Sequence, residues 1–148
     1  MKARILVGLQ FGLLLLLVFR PEQTPLIEFS AFAALSIFLE VGAVVILLVA
    51  FVNLRPSLRI SPIPIPGTPL IRHGIFKYFR HPMYLAVLMI ASGILLTNVD
   101  LIGILICLAL FVTFCVKADY EDKLLALIHK DALEYQSKTR GLPRLKNA

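Results

Sequence analysis

The chain has 148 residues, 59% of them hydrophobic and 16% charged, with a mean hydropathy of +0.88 and a net charge of +6. These values exclude a soluble globular domain and predict an all-α integral membrane bundle, a single domain over residues 1–148 with about four spans. The basic residues are not gathered in one block, so they read as topology signals and headgroup contacts, not as a nucleic-acid-binding arm.

The first apolar segment is about Ala3–Phe19, with Lys2 and Arg4 ahead of its apolar run Ile5–Phe19. It resembles the start of a signal peptide, but no small-x-small cleavage site follows and the chain runs into Arg20-Pro21-Glu22, so it reads as a retained span. The second, Leu26–Leu54, is long enough to cross with tilt or a kink. The third and fourth, Met83–Thr97 and Leu101–Val116, fall short of the roughly 20 residues of an ordinary span. Only Asn98-Val99-Asp100 separates them, which predicts a tight antiparallel helical hairpin over residues 83–116. Residues 1–54 thus hold spans one and two, residues 55–82 a long loop, and residues 117–148 a tail.

Positive charge alternates along this order. Arg55, Arg59, Arg72, Lys77 and Arg80 lie between spans two and three, and the turn after span three has none. Lys117, Lys123, Lys130, Lys138, Arg140, Arg144 and Lys146 follow span four. The alternation puts both termini, the 55–82 loop and the 117–148 tail on the cytoplasmic face. Loop and tail meet there, and any chemistry is expected where they do.

The loop has two halves. Pro56, Pro62, Pro64, Pro66 and Pro69 rule out helix over Arg55–Pro69 and favour an extended spacer. Over Leu70–Tyr84, Arg72, His73, Lys77, Arg80 and His81 alternate with Ile71, Ile75, Phe76, Tyr78 and Phe79. Composition alone reads that half as an interfacial belt of aromatics and snorkelling cations. In the tail, Leu125, Ile128, Ala132 and Tyr135 recur at helical spacing, which predicts an amphipathic C-terminal helix. Glu121 extends that stripe, with Lys117 four residues before it. The two can form an ordinary i,i+4 pair, or Glu121 can face a ligand; spacing does not choose. Glu40, mid-span, is either a functional acid or a neutral side chain hydrogen-bonded to a facing helix. Asn53 and Gln10 read as ordinary polar residues near span ends or interfaces. Cys107 and Cys115 are eight residues apart on one helix, roughly 12 Å, and cannot pair with each other. No Cys/His spacing suits a metal.

Residues Pro69-Leu70-Ile71-Arg72-His73-Gly74-Ile75-Phe76-Lys77-Tyr78-Phe79-Arg80-His81-Pro82-Met83-Tyr84 resemble the signature of the isoprenylcysteine carboxyl methyltransferase family, which ends in Arg-His-Pro-x-Tyr entering a span. Glu121-Asp122-Lys123-Leu124-Leu125 resembles that family's Glu-Glu-x-x-Leu. Leu133-Glu134-Tyr135 and Gly141-Leu142-Pro143 resemble its tyrosine-bearing helix and proline-containing tail. The resemblance spans about residues 66–145, and its specificity lies in three ordered motifs, since Arg-His-Pro alone is weak.

The resemblance implies S-adenosylmethionine held between loop, hairpin and C-terminal helix, with no Rossmann fold and no metal. Carried over by position, the cofactor contacts fall on Thr68, Pro69, Leu70, Ile71, Phe76, His81, Pro82, Met83, Tyr84 and Glu121. Lys117 takes the place of an arginine facing the substrate carboxylate, and Arg80 or Lys117 is the catalytic cation that orients it. The implied reaction is carboxyl O-methylation of a lipophilic, prenylcysteine-like acceptor reached from the bilayer. The alternatives are N-methylation of a phospholipid amine, an NADPH-dependent membrane reductase, and a non-catalytic membrane subunit. The chain departs from the family at Phe76 (usually tyrosine), Asp122 (glutamate), His129 (glycine), Ala132 (tyrosine) and Lys117 (arginine), mostly at the substrate end.

Overall fold

A computed structural model describes residues 2–21, 32–54 and 70–143. Among them are five α-helices and no strand: α1 Lys2–Val18, α2 Ala33–Leu54, α3 Pro82–Thr97, α4 Leu101–Ile128 and α5 Ala132–Lys138. A 3-10 turn, Gly74–Lys77, precedes α3. Two helices, α2 and α4, are long and apolar enough to cross a membrane, and α1 and α3 are shorter apolar helices. The proline-rich half of the loop, the start of the second apolar segment, and Arg144 and Lys146 lie outside the described residues.

The hairpin turn forms where the sequence predicts it. Asp100 caps α4 by accepting from the Gly103 N–H at 2.7 Å, which satisfies one of the orphan donors of the first turn. At the other end α4 does not stop at Val116. It carries no Pro or Gly from Ile104 to Ile128, and nothing interrupts its backbone ladder until His129 turns extended. Its 28 residues span roughly 42 Å, so its last turns extend past the apolar run.

The predicted single amphipathic helix is therefore split. Leu125 and Ile128 end α4, a turn at His129 closed by the Ala132 N–H redirects the chain, and Ala132 and Tyr135 are buried from α5.

Small residues set the helix spacing. Ser36, Ala43 and Ala50 of α2 are buried at seven-residue intervals, as are Ala86 and Gly93 of α3. That spacing keeps the small residues on one seam and lets the two backbones approach closely. Ser36 Oγ donates to the Gly93 carbonyl at 2.9 Å, and Glu40 lies against Gly93 beside it. Glu40 thus sits at the α2–α3 seam. On the other flank α1 packs against α4 and α3, where Leu17, Ala91, Leu110 and Phe114 form the buried core. Large apolar side chains such as Leu16, Phe38, Leu48 and Leu105 face outward from the bundle.

Candidate functional site

The polar side chains gather at the end of the hairpin opposite its turn. Here the chain enters α3 through His81 and Pro82, with Pro82 in the first helical turn, where its missing N–H costs no hydrogen bond. Arg80, His81 and Tyr84 therefore stand over one turn and face the last polar turns of α4.

Asp122 is the hub. Its Oδ2 accepts from Arg80 Nη1 at 2.8 Å, and its Oδ1 lies 3.0 Å from His81 Nε2. All three side chains are largely buried. A buried carboxylate shared by two partners fixes both with hydrogen bonds stronger than neutral ones. Gln136 of α5 donates to the Asp122 main-chain carbonyl at 2.8 Å and ties the tail to the same turn.

Glu121 is the second acid. Tyr84 Oη donates to its Oε1 at 2.5 Å, and His81 Nδ1 lies 3.6 Å from its Oε2. The two imidazole nitrogens thus face two different carboxylates, which fixes the ring plane. That ring stacks on Tyr84 at 5.3 Å and 4°, and Tyr84 stacks on Phe114 at 4.8 Å. Lys117 completes the group: its ammonium lies 4.7 Å from the Tyr84 ring centroid and donates to Gln10 Oε1 of α1 at 2.8 Å.

The preceding loop and the tail close this end. Gly74 adopts φ 59, a conformation open to glycine at little cost, and a Cβ there would collide with the Asn53 amide of α2. This lets the 3-10 turn sit on α2 and buries Phe76. The Phe76 carbonyl accepts from Tyr135 Oη at 2.7 Å, and burial pushes that phenol up to about 12, so it is a neutral donor at physiological pH. Arg80 N–H and Arg140 N–H make paired backbone bonds of 2.9 Å to Arg140 and Tyr78 carbonyls. Gly141 has no Cβ to strike the Arg80 guanidinium, so the tail passes directly over it. Arg72 reaches Asp131 at 3.0 Å on the exposed rim.

The structure brings together Arg80, His81, Tyr84, Lys117 and Glu121. Pro82 is buried beneath them, Met83, Leu70 and Ile71 are half-buried nearby in the chain, and Thr68 and Pro69 lie outside the described residues. Two contributors are not evident from sequence reasoning. Asp122, which reads as a minor replacement, holds both Arg80 and His81. Gln10, which reads as an ordinary interface residue, reaches the centre of the group. A lone polar residue in the apolar run Ile5–Phe19 is the signal that points to Gln10, because such a side chain needs a partner.

Fold and site together define an all-helical protein with apolar outer faces and a conjoined acid, base and aromatic cluster at one end. The family model described as isoprenylcysteine carboxyl methyltransferase (ICMT) family matches residues 32–127, well over half of the chain. The chain belongs to this family, and membership implies a membrane methyltransferase. Among curated proteins and among solved structures, none matches the chain.

Proposed function

We propose that the protein uses S-adenosylmethionine to methylate the carboxylate of a lipophilic, prenylcysteine-like acceptor. The observation that carries this reading is the convergence of Arg80-His81 and Tyr84 on Glu121 and Asp122 at one end of the hairpin. Residues 1–148 act as one membrane methyltransferase domain: spans one and two within 1–54, a cofactor loop over 55–82, the hairpin over 83–116, and the tail over 117–148. Four helices cross the bilayer, α5 lies at the cytoplasmic surface, and both termini and the site face the cytoplasm, as the basic residues imply.

The residues present fit the cofactor. The Arg80 Nε–H is buried and has no partner among the described residues, which leaves a donor for an anionic group. Glu121 offers a carboxylate to a cationic ligand, and His81, Tyr84 and Phe76 supply aromatic surface. Leu70, Ile71, Pro82 and Met83 complete the contact set, with Thr68 and Pro69 expected to continue it.

When bound, S-adenosylmethionine supplies a methyl group on a sulfonium. The chain's task is then orientation, since in-line displacement depends on holding two reactants in register. A carboxylate acceptor is ionised at neutral pH and needs no base, so no proton has to be moved. It does need a cation, and Lys117 serves as that catalytic and substrate-binding group. Arg80, committed to Asp122, acts mainly by holding His81 in place. The apolar outer faces of the helices suit an acceptor whose lipid tail stays in the bilayer.

Calorimetry on the detergent-purified protein tests this reading. S-adenosylmethionine should bind in the micromolar range, and Glu121→Ala should weaken it at least about tenfold. Label from the methyl group should reach a prenylcysteine with a free carboxylate and not its amide. Binding of NADPH in place of S-adenosylmethionine would point to a reductase, and binding of neither to a non-catalytic subunit. Label on a phospholipid amine would move the acceptor from carboxylate to nitrogen.

A further inference from the structure

The family match begins at residue 32 and leaves α1 outside it, yet α1 supplies a side chain to the centre of the site. Gln10 is the only polar residue between Arg4 and Arg20. Its Oε1 accepts from Lys117 Nζ at 2.8 Å. That ammonium is taken from water in a residue only 6% exposed, and its position over the Tyr84 ring, 4.7 Å from the centroid, depends on what holds its long stem. A lysine side chain carries four rotatable bonds and three donors in no fixed fork, so an unrestrained ammonium is a poor orienting group. Gln10 supplies the restraint: one donor is committed to the amide oxygen, the π face of Tyr84 attracts the charge, and further donors remain for an incoming anion. A glutamine suits this role because a neutral acceptor fixes the ammonium without neutralising it.

We propose that Gln10 of α1 is a positioning residue for the methyl acceptor, holding Lys117 over Tyr84 so that its ammonium receives the acceptor carboxylate. The inference rests on the reading of Lys117 as the acceptor-carboxylate contact. It gives the first apolar helix a role in acceptor choice that a merely packed helix would lack. The hydrogen bond of Gln10 goes to Lys117 and not to a residue assigned to the cofactor, so its effect should fall on the acceptor.

The test uses the full chain in nanodiscs, with radiolabelled N-acetyl-S-farnesylcysteine as acceptor probe and its carboxamide as control. Gln10→Leu should weaken binding of the free acid up to about tenfold, because binding must then also order the released lysine side chain. Binding of the carboxamide and of S-adenosylmethionine should change by less than about twofold, because neither uses the Lys117 charge. In a Lys117→Met background, Gln10→Leu should add less than about twofold, since its effect runs through Lys117. Should Gln10→Leu not fold, Gln10→Asn shortens the reach by one methylene and should weaken free-acid binding selectively, to a smaller degree. Equal losses for acid and carboxamide, or a full Gln10 effect without Lys117, would overturn the proposal and leave the parent reading standing. A wild-type chain that binds S-adenosylmethionine but neither binds nor methylates the free acid would overturn the parent reading, and this inference with it.

Discussion

The two ends of the hairpin each carry a buried arginine–aspartate pair, Arg20–Asp100 at the turn and Arg80–Asp122 at the open end, both at 2.8 Å. At the turn each guanidinium nitrogen has a partner. Nε goes to Asp100, Nη1 to the Leu17 carbonyl at 3.0 Å and Nη2 to the Asn98 carbonyl at 2.7 Å. Asp100 in turn caps α4. At the open end Arg80 Nε has no partner among the described residues, and Asp122 divides its oxygens between Arg80 and His81. One pair ties the hairpin turn to the end of α1; the other shares its carboxylate with an imidazole and leaves one guanidinium nitrogen unengaged among the described residues. The same ion pair thus differs between the two ends in how completely its neighbours satisfy it.

Breaking the open-end pair should have the largest effect. Asp122→Ala leaves Arg80 as an uncompensated buried charge and frees His81, a loss of about 3–5 kcal/mol. Methyl transfer should become undetectable and S-adenosylmethionine binding should fall with it. Activity assays on solubilised protein together with thermal unfolding measure both. Asp122→Glu, which restores the residue the family usually carries, should recover most of each. An Asp122→Ala protein with full activity would remove Asp122 from the site.

Asp100→Ala is the counterpart. It strips Arg20 of its counter-charge and removes the α4 cap, at a cost of about 3 kcal/mol. The expected signature is a lower melting temperature with S-adenosylmethionine affinity unchanged in the protein that remains folded. A selective loss of affinity there would erase the distinction between the two ends.

The open end is legible in the sequence where its components are local. Arg80-His81-Pro82 sits at a helix entrance and Glu121 lies on a helical stripe, so motif and spacing reach them. Asn98-Val99-Asp100 reads as a turn because these three residues alone separate a pair of apolar runs. Gln10–Lys117 and Arg20–Asp100 join residues 107 and 80 positions apart, and no local pattern records a partner at that distance. Helix faces are also hidden. Outward Leu16 and buried Leu17 are the same residue type, so the polar–apolar contrast that marks a buried face in soluble helices is missing here. The break at His129 has no proline or glycine to announce it and arises as α5 turns to bury Tyr135 under the 3-10 turn.

The smallest expected effect tests how firmly the tail closes the open end. Tyr135→Phe removes only the hydroxyl that donates to the Phe76 carbonyl, worth about 1 kcal/mol net. The same bond gives a pH signature. Burial raises the folded-state phenol to about 12 from an ordinary 10.0, so the fold favours the neutral form. Its contribution is complete below the ordinary value and is lost as pH rises towards 12, because the unfolded chain ionises first. At pH 11 the unfolded phenol is mostly ionised, which lowers the stability due to Tyr135 by about 1 kcal/mol. The gap in unfolding free energy between wild type and Tyr135→Phe should therefore be clear at pH 8 and nearly closed at pH 11. A gap that is constant with pH would mean that the hydroxyl is hydrated in both states and that the tail is held by other contacts, the Gln136–Asp122 bond and the backbone pairing of Arg80 and Arg140.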